Sequence, residues 1–411
     1  MKQRVAGLTI VVLIGTRTAS AQHAPAPDAP SEPRPPASTN SWFLRAGYSP
    51  AHVLAASPFG TGRNEARTLT LELGRQTDGT RPWHRVYNYP SYGVGVYVGR
   101  FDHERELGRP IATYGFFSWP FPVSRVVHVV ADVGIGVSWN WNAFDPVTNP
   151  TNTALGSAVA YHIDSGVSLR FLVNQRASVY AGLNLTHWSN GATSQPNLGL
   201  AVVGPKLGVR YNFAPQVARS RAAAGDLPRF DPAWELVVGG AGSGKTAVAA
   251  TSSHLDVVDL WRDFGAFNLT TGMQRHFYRF GKVAGGADVT YDGATGARVD
   301  IRDGRQVESR APIDQRFALG LYGGYEHVIA RFSVLVQFGY TVWRSVDDVE
   351  VPRFYQRYGS RFSFSERFWG TFAVRTIKLR KANFVEFGLG YRVRWPAHVK
   401  LTASSTLPDP L

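Results

Sequence analysis

The stretch Val127-His128-Val129-Val130-Ala131-Asp132-Val133-Gly134-Ile135-Gly136-Val137-Ser138-Trp139-Asn140 has apolar residues at every odd position, ending on Trp139. Its even positions carry, apart from Val130, only His, Asp, Gly, Ser and Asn. Successive side chains of a strand point to opposite faces, so this period of two predicts a strand with one greasy face and one small, polar or charged face. Val334, Val336, Phe338, Tyr340 and Val342 repeat the pattern against Ser333, Leu335, Gln337, Gly339 and Thr341. Near the end, Val385, Phe387, Leu389, Tyr391, Val393 and Trp395 do so against Phe384, Glu386, Gly388, Gly390, Arg392 and Arg394. A soluble β-sandwich alternates in the same way. Two features separate the readings: the polar face holds Gly and ionisable groups as a barrel lumen does, and the apolar segments end in aromatics as interfacial girdles do.

Composition agrees. The 411 residues are 13% aromatic and 18% charged, with 42 Gly, 2 Met and no Cys. That balance excludes a disordered chain, a coiled coil and a helical bundle. The lack of Cys excludes disulfide frameworks, zinc-thiolate sites, cysteine nucleophiles and a lipidated N-terminal Cys. A formal charge of +14 points to nucleic acid, a membrane surface or an acidic substrate, and the destination of the chain decides among them. Lys2 and Arg4 precede an apolar run from Ala6 to Gly15, and Ala19-Ser20-Ala21 is a small-residue cleavage site, so residues 1–21 read as a secretory signal peptide. Cleavage before Gln22 takes away Lys2, Arg4 and Arg17 and no acid, leaving about +11. Nucleic acid drops out as a partner of an exported chain. Residues 22–40 hold six prolines among Ala, Ser and acids, a leader with nothing to bury.

No later segment has the ~18 consecutive apolar residues of a membrane helix. In lipid a sheet must close on itself, because each unpaired edge group is costly there. The expected fold is therefore all-β: a transmembrane antiparallel β-barrel of the outer-membrane type with about 14–16 strands, placing the chain in the cell outer membrane. The alternating segments fall into two sets. Residues 41–213 end in Lys206-Leu207-Gly208-Val209-Arg210-Tyr211-Asn212-Phe213, and residues 233–395 end in Gly388-Leu389-Gly390-Tyr391-Arg392-Val393-Arg394-Trp395. Both endings have the aromatic finish of a last barrel strand. Residues 214–232, rich in Ala, Arg and Pro, form a connection, and 396–411 a polar tail. One continuous barrel is favoured over an 8-stranded barrel followed by a second β unit.

Gly239-Gly240-Ala241-Gly242-Ser243-Gly244-Lys245-Thr246 satisfies the P-loop pattern and follows the apolar Trp234–Val238. A phosphate cradle also needs a helix starting at Lys245. Ala247–Ala250 could begin one, and Val257-Val258-Asp259 could pose as a Mg²⁺-holding strand. The exported compartment lacks nucleotide and the following chain returns to strand-like alternation, so the string is read as a Gly-rich strand end and loop that binds no nucleotide. Lys245→Ala is expected to leave folding unchanged.

Leu183-Asn184-Leu185-Thr186-His187-Trp188-Ser189-Asn190-Gly191 carries more chemistry. Val179, Ala181, Leu183, Leu185, His187 and Ser189 share one strand face, so an imidazole and a hydroxyl project from the lipid side. Such groups are costly in lipid unless they sit at the interface. A polar strand end reaching the headgroups is the plain account. A nucleophile and base, with Asn190 and Asn197 near enough to serve as oxyanion donors, is the chemical one.

Thr186-His187-Trp188-Ser189-Asn190-Gly191, followed by Gln195-Pro196-Asn197-Leu198-Gly199 and the closing strand through Phe213, resembles the outer-membrane lipid A 3-O-deacylases, in the branch labelled acyloxyacyl hydrolase. Tyr114-Gly115-Phe116-Phe117, Asp145-Pro146 and Asn149-Pro150-Thr151-Asn152-Thr153-Ala154-Leu155-Gly156 look like the same branch. The resemblance covers residues 41–213 and extends more loosely to Trp395. It implies a serine hydrolase with its active site on the outside of the barrel, removing an acyl chain from lipid A of lipopolysaccharide without a cofactor or metal. His187 matches the family's base, Ser189 its nucleophile and Asn197 an oxyanion-hole residue. The family's third member, a Glu, falls on Ala201.

That departure has no local substitute, because no Asp or Glu occurs between Ser165 and Gly225. Pairing Val173 with Ala177 places Ile163 opposite His187 and Tyr161 opposite Ser189, and turns Asp164 into the lumen. An amide, a carbonyl, Tyr161 or a loop acid such as Asp145 is left to orient the imidazole. His84, His103, His128 and His162 lack paired metal-ligand spacing. Asn184-Leu185-Thr186 and Asn268-Leu269-Thr270 match a glycosylation string that means little in a membrane strand. The Arg clusters at 353–367 and 375–380 read as lumen or loop, with lipopolysaccharide phosphates as possible contacts. An ester hydrolase acting on lipid A is the favoured function, and a catalytically silent barrel serving as channel or surface scaffold is the alternative.

Overall fold

The structure is a computed structural model that describes residues 41–54, 64–216, 230–346, 352–379 and 381–396. The expected signal peptide, the leader, most of the 214–232 connection and the tail beyond Pro396 lie outside the described residues. The described residues are nearly all β, with short helices at Pro82–Val86 and Glu104–Leu107 and sixteen barrel strands that close as two rings of eight and not as one continuous barrel. The first ring is β1 (Ser41–Val53), β2 (Glu65–Gln76), β3 (Ser91–Phe101), β4 (Gly108–Pro122), β5 (Val127–Trp141), β6 (Ala160–Leu172), β7 (Ala177–Ser189) and β8 (Leu200–Asn212). It is sealed by antiparallel pairing of β8 with β1, Phe43 opposite Asn212 and Tyr48 opposite Leu207. The second ring begins with β9 (Ala233–Val248), β10 (Trp261–Tyr278) and β11 (Gly281–Asp292). A hairpin, β12 (Arg298–Arg302) and β13 (Arg305–Ser309), stands outside it. The ring resumes with β14 (Phe317–Ile329), β15 (Phe332–Arg344), β16 (Phe354–Ser363), β17 (Phe368–Ile377) and β18 (Lys381–Pro396), which pairs back onto β9.

Two rings form because each half carries enough bulk to fill its own bore. Eight strands enclose a space that side chains can fill, whereas sixteen leave an aqueous channel. Phe43, Tyr97, Tyr114 and Trp188 occupy the first lumen, and Tyr322, Tyr355, Trp369 and Phe384 the second. Many of the lumenal charges are paired. Arg45 pairs with Glu72 and, at 3.0 Å, with Asp132, which Lys206 approaches to 3.9 Å. In the second ring Arg357 bridges Glu386 at 2.6 Å and Asp288 at 3.0 Å, while Lys282 meets Glu235 and Arg361 meets Glu326, both at 2.8 Å. The second lumen has a cavity of about 540 Å³ at one mouth and about 500 Å³ at the other. Between them, beside Arg357, Arg361, Trp369 and Glu386, is a space of about 20 Å³, room for about one water.

The P-loop string and the two Asn-Leu-Thr strings are barrel wall. Gly239–Thr246 lies within β9, with no helix after Lys245, and Val257–Leu260 is a 3₁₀ turn and not a strand. Its first glycine serves packing: a Cβ on Gly239 would stand 2.6 Å from the Trp369 ring. Lys245 points into the lumen, only 5% exposed, and donates to Asp292 at 2.6 Å and to Asn383 at 3.1 Å. These contacts argue against a silent Lys245→Ala, because the substitution leaves Asp292 without its cation. We expect Lys245→Ala to lower stability by about 1–3 kcal/mol, read as an earlier loss of the heat-modifiable band on gels, with no ATP binding before or after substitution. The two Asn-Leu-Thr strings do a common job. Asn184 and Thr186 donate to Asp164 at 2.7 and 2.6 Å, and Asn268 and Thr270 donate to Asp288 at 3.3 and 2.7 Å.

At one end of both rings the connections are mostly short, as at 173–176, 279–280 and 330–331; at the other they are long, as at 142–159, 190–199 and 293–316. The rings touch at both ends. At the short-turn end Tyr87 donates to the Val328 carbonyl at 2.6 Å. At the long-loop end the Thr246 amide donates to Ala192 at 2.8 Å and Gln195 Nε2 donates to Thr246 at 3.1 Å.

Candidate active site on the outer face of the first barrel

β7 runs toward the long-loop end and stops at Ser189, its even residues anchored inside the lumen. Thr186 is held by Asp164. Trp188, fully buried, has the rings of Tyr97, Trp141 and Phe101 at 5.4–5.8 Å. With Trp188 locked inward, His187 and Ser189 on either side of it must face out. Their cross-strand partners on β6 are Ile163 and Tyr161, the register expected from the Asn174-Gln175-Arg176 turn. On β8 the partner of His187 is Ala201.

The Ser189–Gly199 segment folds back over the strand end. Asn197 brings its side-chain amide to Ser189: Nδ2 lies 3.1 Å and Oδ1 3.2 Å from Oγ. The Asn190 amide donates to Asn197 Oδ1 at 3.1 Å, which fixes that end of the group as acceptor. The Gly191 amide donates to Oγ at 3.1 Å. Two N–H donors thus converge on Oγ. The Asn190 side chain is otherwise occupied, accepting from Ala192 at 3.0 Å and donating to the Ser194 carbonyl at 3.0 Å, so it shapes the loop. The 142–159 loop buttresses the same segment. Gly199 donates to the Ala154 carbonyl at 3.1 Å, and Ser194 Oγ donates to that of Gly156 at 2.6 Å.

His187 and Ser189 share no hydrogen bond in this conformation, a common state of catalytic pairs without substrate. The imidazole instead has the Leu200 backbone as its polar neighbour. Its ring also lies against Gly199, where φ is +73° and a Cβ would stand 2.9 Å from His187 Cε1. Asp145 is engaged in its own loop, accepting from the Val147 and Thr148 amides at 2.9 and 2.7 Å; those bonds hold its carboxyl below the usual range. Tyr161 does not reach back to the imidazole, for its ring packs on Phe372 and Phe387 of the second barrel, 5.0 and 6.4 Å away. Among the described residues no group of three or more His, Asp or Glu side chains is arranged to hold a metal.

Sequence reasoning did not single out the Gly191 amide, Gly199 or the Leu200 backbone. The two glycines were within the quoted motifs, but a backbone donor leaves no trace in residue type. The second barrel also enters the site unannounced. A Cβ on Gly191 would come within 2.1 Å of Val385 Cγ2, and Val385, on the outward row of β18, is fully buried as a result.

Two family models match this chain: "Lipid A 3-O-deacylase (PagL)" over residues 67–210 and "Acyloxyacyl hydrolase, C-terminal domain" over residues 233–395. The chain belongs to the lipid A 3-O-deacylase family. Membership of this family of outer-membrane barrels agrees with the two closed rings and places the chain in the outer membrane. No curated protein matches it. Among solved structures it is similar to the outer membrane enzyme PagL, at 15% identity over 41% of this chain and 98% of that one, with a TM-score of 0.28. It is also similar to a TodX monoaromatic hydrocarbon channel mutant (11%, covering 87% and 90%, TM-score 0.19) and to the siderophore receptor PirA from Acinetobacter baumannii (8%, covering 87% and 81%, TM-score 0.22). Likenesses this distant say nothing about chemistry.

Proposed function

We propose that the chain is a serine ester hydrolase that removes an acyl chain from lipid A of lipopolysaccharide, with Ser189 as nucleophile and His187 as general base. The observation that carries this reading is the pair of N–H donors, from Gly191 and Asn197, converging on a hydroxyl beside an imidazole on the lipid-facing side of a strand end. The surroundings suit a lipid substrate: Leu198, Leu183 and Ile163 are 77%, 64% and 41% exposed around the site. In outer-membrane barrels the long loops are extracellular, so Ser189 belongs at the outer leaflet, where lipopolysaccharide resides. In the reaction His187 takes the Oγ proton as Ser189 attacks the ester carbonyl, and the donors stabilise the oxyanion. His187 returns the proton to the leaving sugar hydroxyl, and water then releases the acyl group from Ser189 by the same steps. The Leu200 backbone takes the place of a carboxylate in orienting the ring. No step calls for a cofactor. The filled lumens count against the channel alternative.

The test is incubation of the full chain with lipid A in detergent micelles, followed by mass spectrometry. Loss of the mass of one acyl or hydroxyacyl chain is expected, slowed ~10²- to 10³-fold in Asn197→Ala. Unchanged lipid A with folded, heat-modifiable protein would overturn the reading in favour of the silent barrel.

A further inference from the structure

The cavity of about 500 Å³ at the long-loop mouth of the second barrel is lined in part by Ala192 and Gln195, which belong to the loop that carries Asn197. Among its described lining residues, cations outnumber acids. Lys245 and Arg375, each 5% exposed, are set deep in it, Arg316 is half-buried in the wall, and Lys378 and Lys381 are exposed at the rim. Asp292 is the one acid among its described lining residues, and Lys245 already pairs with it. Arg375 donates to Thr290 at 2.8 Å and Asn268 at 3.4 Å, with the Asp288 carboxylate, already bridged by Arg357, as its nearest opposite charge; Arg316 donates to Tyr291 at 3.1 Å and the Ala311 carbonyl at 2.7 Å, both neutral. This contrasts with the middle of the second lumen, where Arg357, Arg361 and Lys282 each meet a carboxylate. Cations gathered in a wide, water-accessible mouth favour a multivalent anion, and Arg and Lys together suit phosphate oxygens.

We propose that this mouth is a phosphate-binding site, which holds the phosphorylated sugar headgroup of the lipid while its ester lies at Ser189. The proposal rests on the hydrolase reading for its choice of lipid, and on the seam between the rings for its geometry. Thr246, next in sequence to Lys245, is hydrogen-bonded to Ala192 and Thr193 of the Ser189 loop. A headgroup in the mouth and an acyl chain on the outer face of β7 are thereby joined across one short segment.

Binding is measured on the full-length Ser189→Ala protein in neutral detergent, so that hydrolysis does not enter. The probes are bisphosphoryl lipid A, chemically dephosphorylated lipid A and inorganic pyrophosphate. Bisphosphoryl lipid A is expected to bind ~10-fold or more tightly than the dephosphorylated form, and Lys378→Glu with Lys381→Glu should remove that difference. Lys378→Gln with Lys381→Gln, a milder pair, should remove part of it if the reversal disturbs folding. Arg305→Glu, on the exposed hairpin, should not. Competition by pyrophosphate at concentrations near the lipid's own Kd assigns the site to free phosphate; competition only at far higher concentration assigns it to the lipid headgroup. Equal binding of the two lipids, or a difference untouched by both Lys pairs, overturns the proposal. Failure of the hydrolase reading looks different: the phosphate preference persists while wild-type protein leaves lipid A uncut.

Discussion

Ser189→Ala is expected to lower acyl release from lipid A by at least ~10² and by as much as ~10⁶, with His187→Ala as damaging and the double variant no worse than either. The three results belong together because nucleophile and base act as a unit, so removing the second partner takes away nothing that the first removal left. The size of the drop is itself informative. An orienting acid is worth up to ~10⁴ in hydrolases with a Ser-His-Asp triad, and among the described residues no carboxylate stands against His187. If the Leu200 backbone and the ring's contact with Gly199 hold the imidazole as well as a carboxylate would, the wild-type rate is high and the drop approaches the upper figure. If they hold it poorly, the wild type already starts low. Rates from purified protein and lipid A, followed by mass spectrometry, give the number. Activity that survives Ser189→Ala would place the chemistry elsewhere.

The converse experiment builds the missing group. Ala201 is the direct cross-strand partner of His187, and pairing from Ala177 to Trp188 runs unbroken past Pro205, so the proline does not shift the register. Directly opposed Cβ atoms lie ~5 Å apart, a span that a Glu side chain bridges. Ala201→Glu is expected to raise the rate ~10- to 10³-fold, below the full ~10⁴ because the new carboxylate must give up some hydration on a half-buried face. Ala201→Gln offers the same length without charge and should recover little. A folded Glu variant with an unchanged rate would mean that proton transfer by His187 does not limit turnover.

The alternation that opened the sequence translates directly into the structure, because a membrane barrel writes its two faces into every second residue. Leu183, His187 and Ser189 share the outward row of β7, and Asp164 turns inward. The ring number was not legible. Val385 and Phe387 look like any other lipid-facing pair in sequence, and nothing in their types says that Gly191 and Tyr161 of another ring lie against them. The P-loop string misled for a related reason: Gly239 and Lys245 look like phosphate chemistry but answer to Trp369 and Asp292, partners 130 and 47 positions away. The candidate site was legible in its side chains, His187, Ser189 and Asn197, and not in its backbone. The Gly191 amide and the Leu200 backbone act through groups that every residue possesses.

The contacts of Thr246 with Ala192 and Thr193 and of Val385 with Gly191 also make one loop the common property of two rings. The first ring is closed by β8 on β1, with His187 and Ser189 facing outward. The segment from Asn190 to Gln195 gains its outer supports only when β9 is in place and β18, the last strand in the described chain, has joined it. A chain cut back to the first ring would display Ser189 without the wall that braces its loop. The second ring thus serves the first as a scaffold for a single loop.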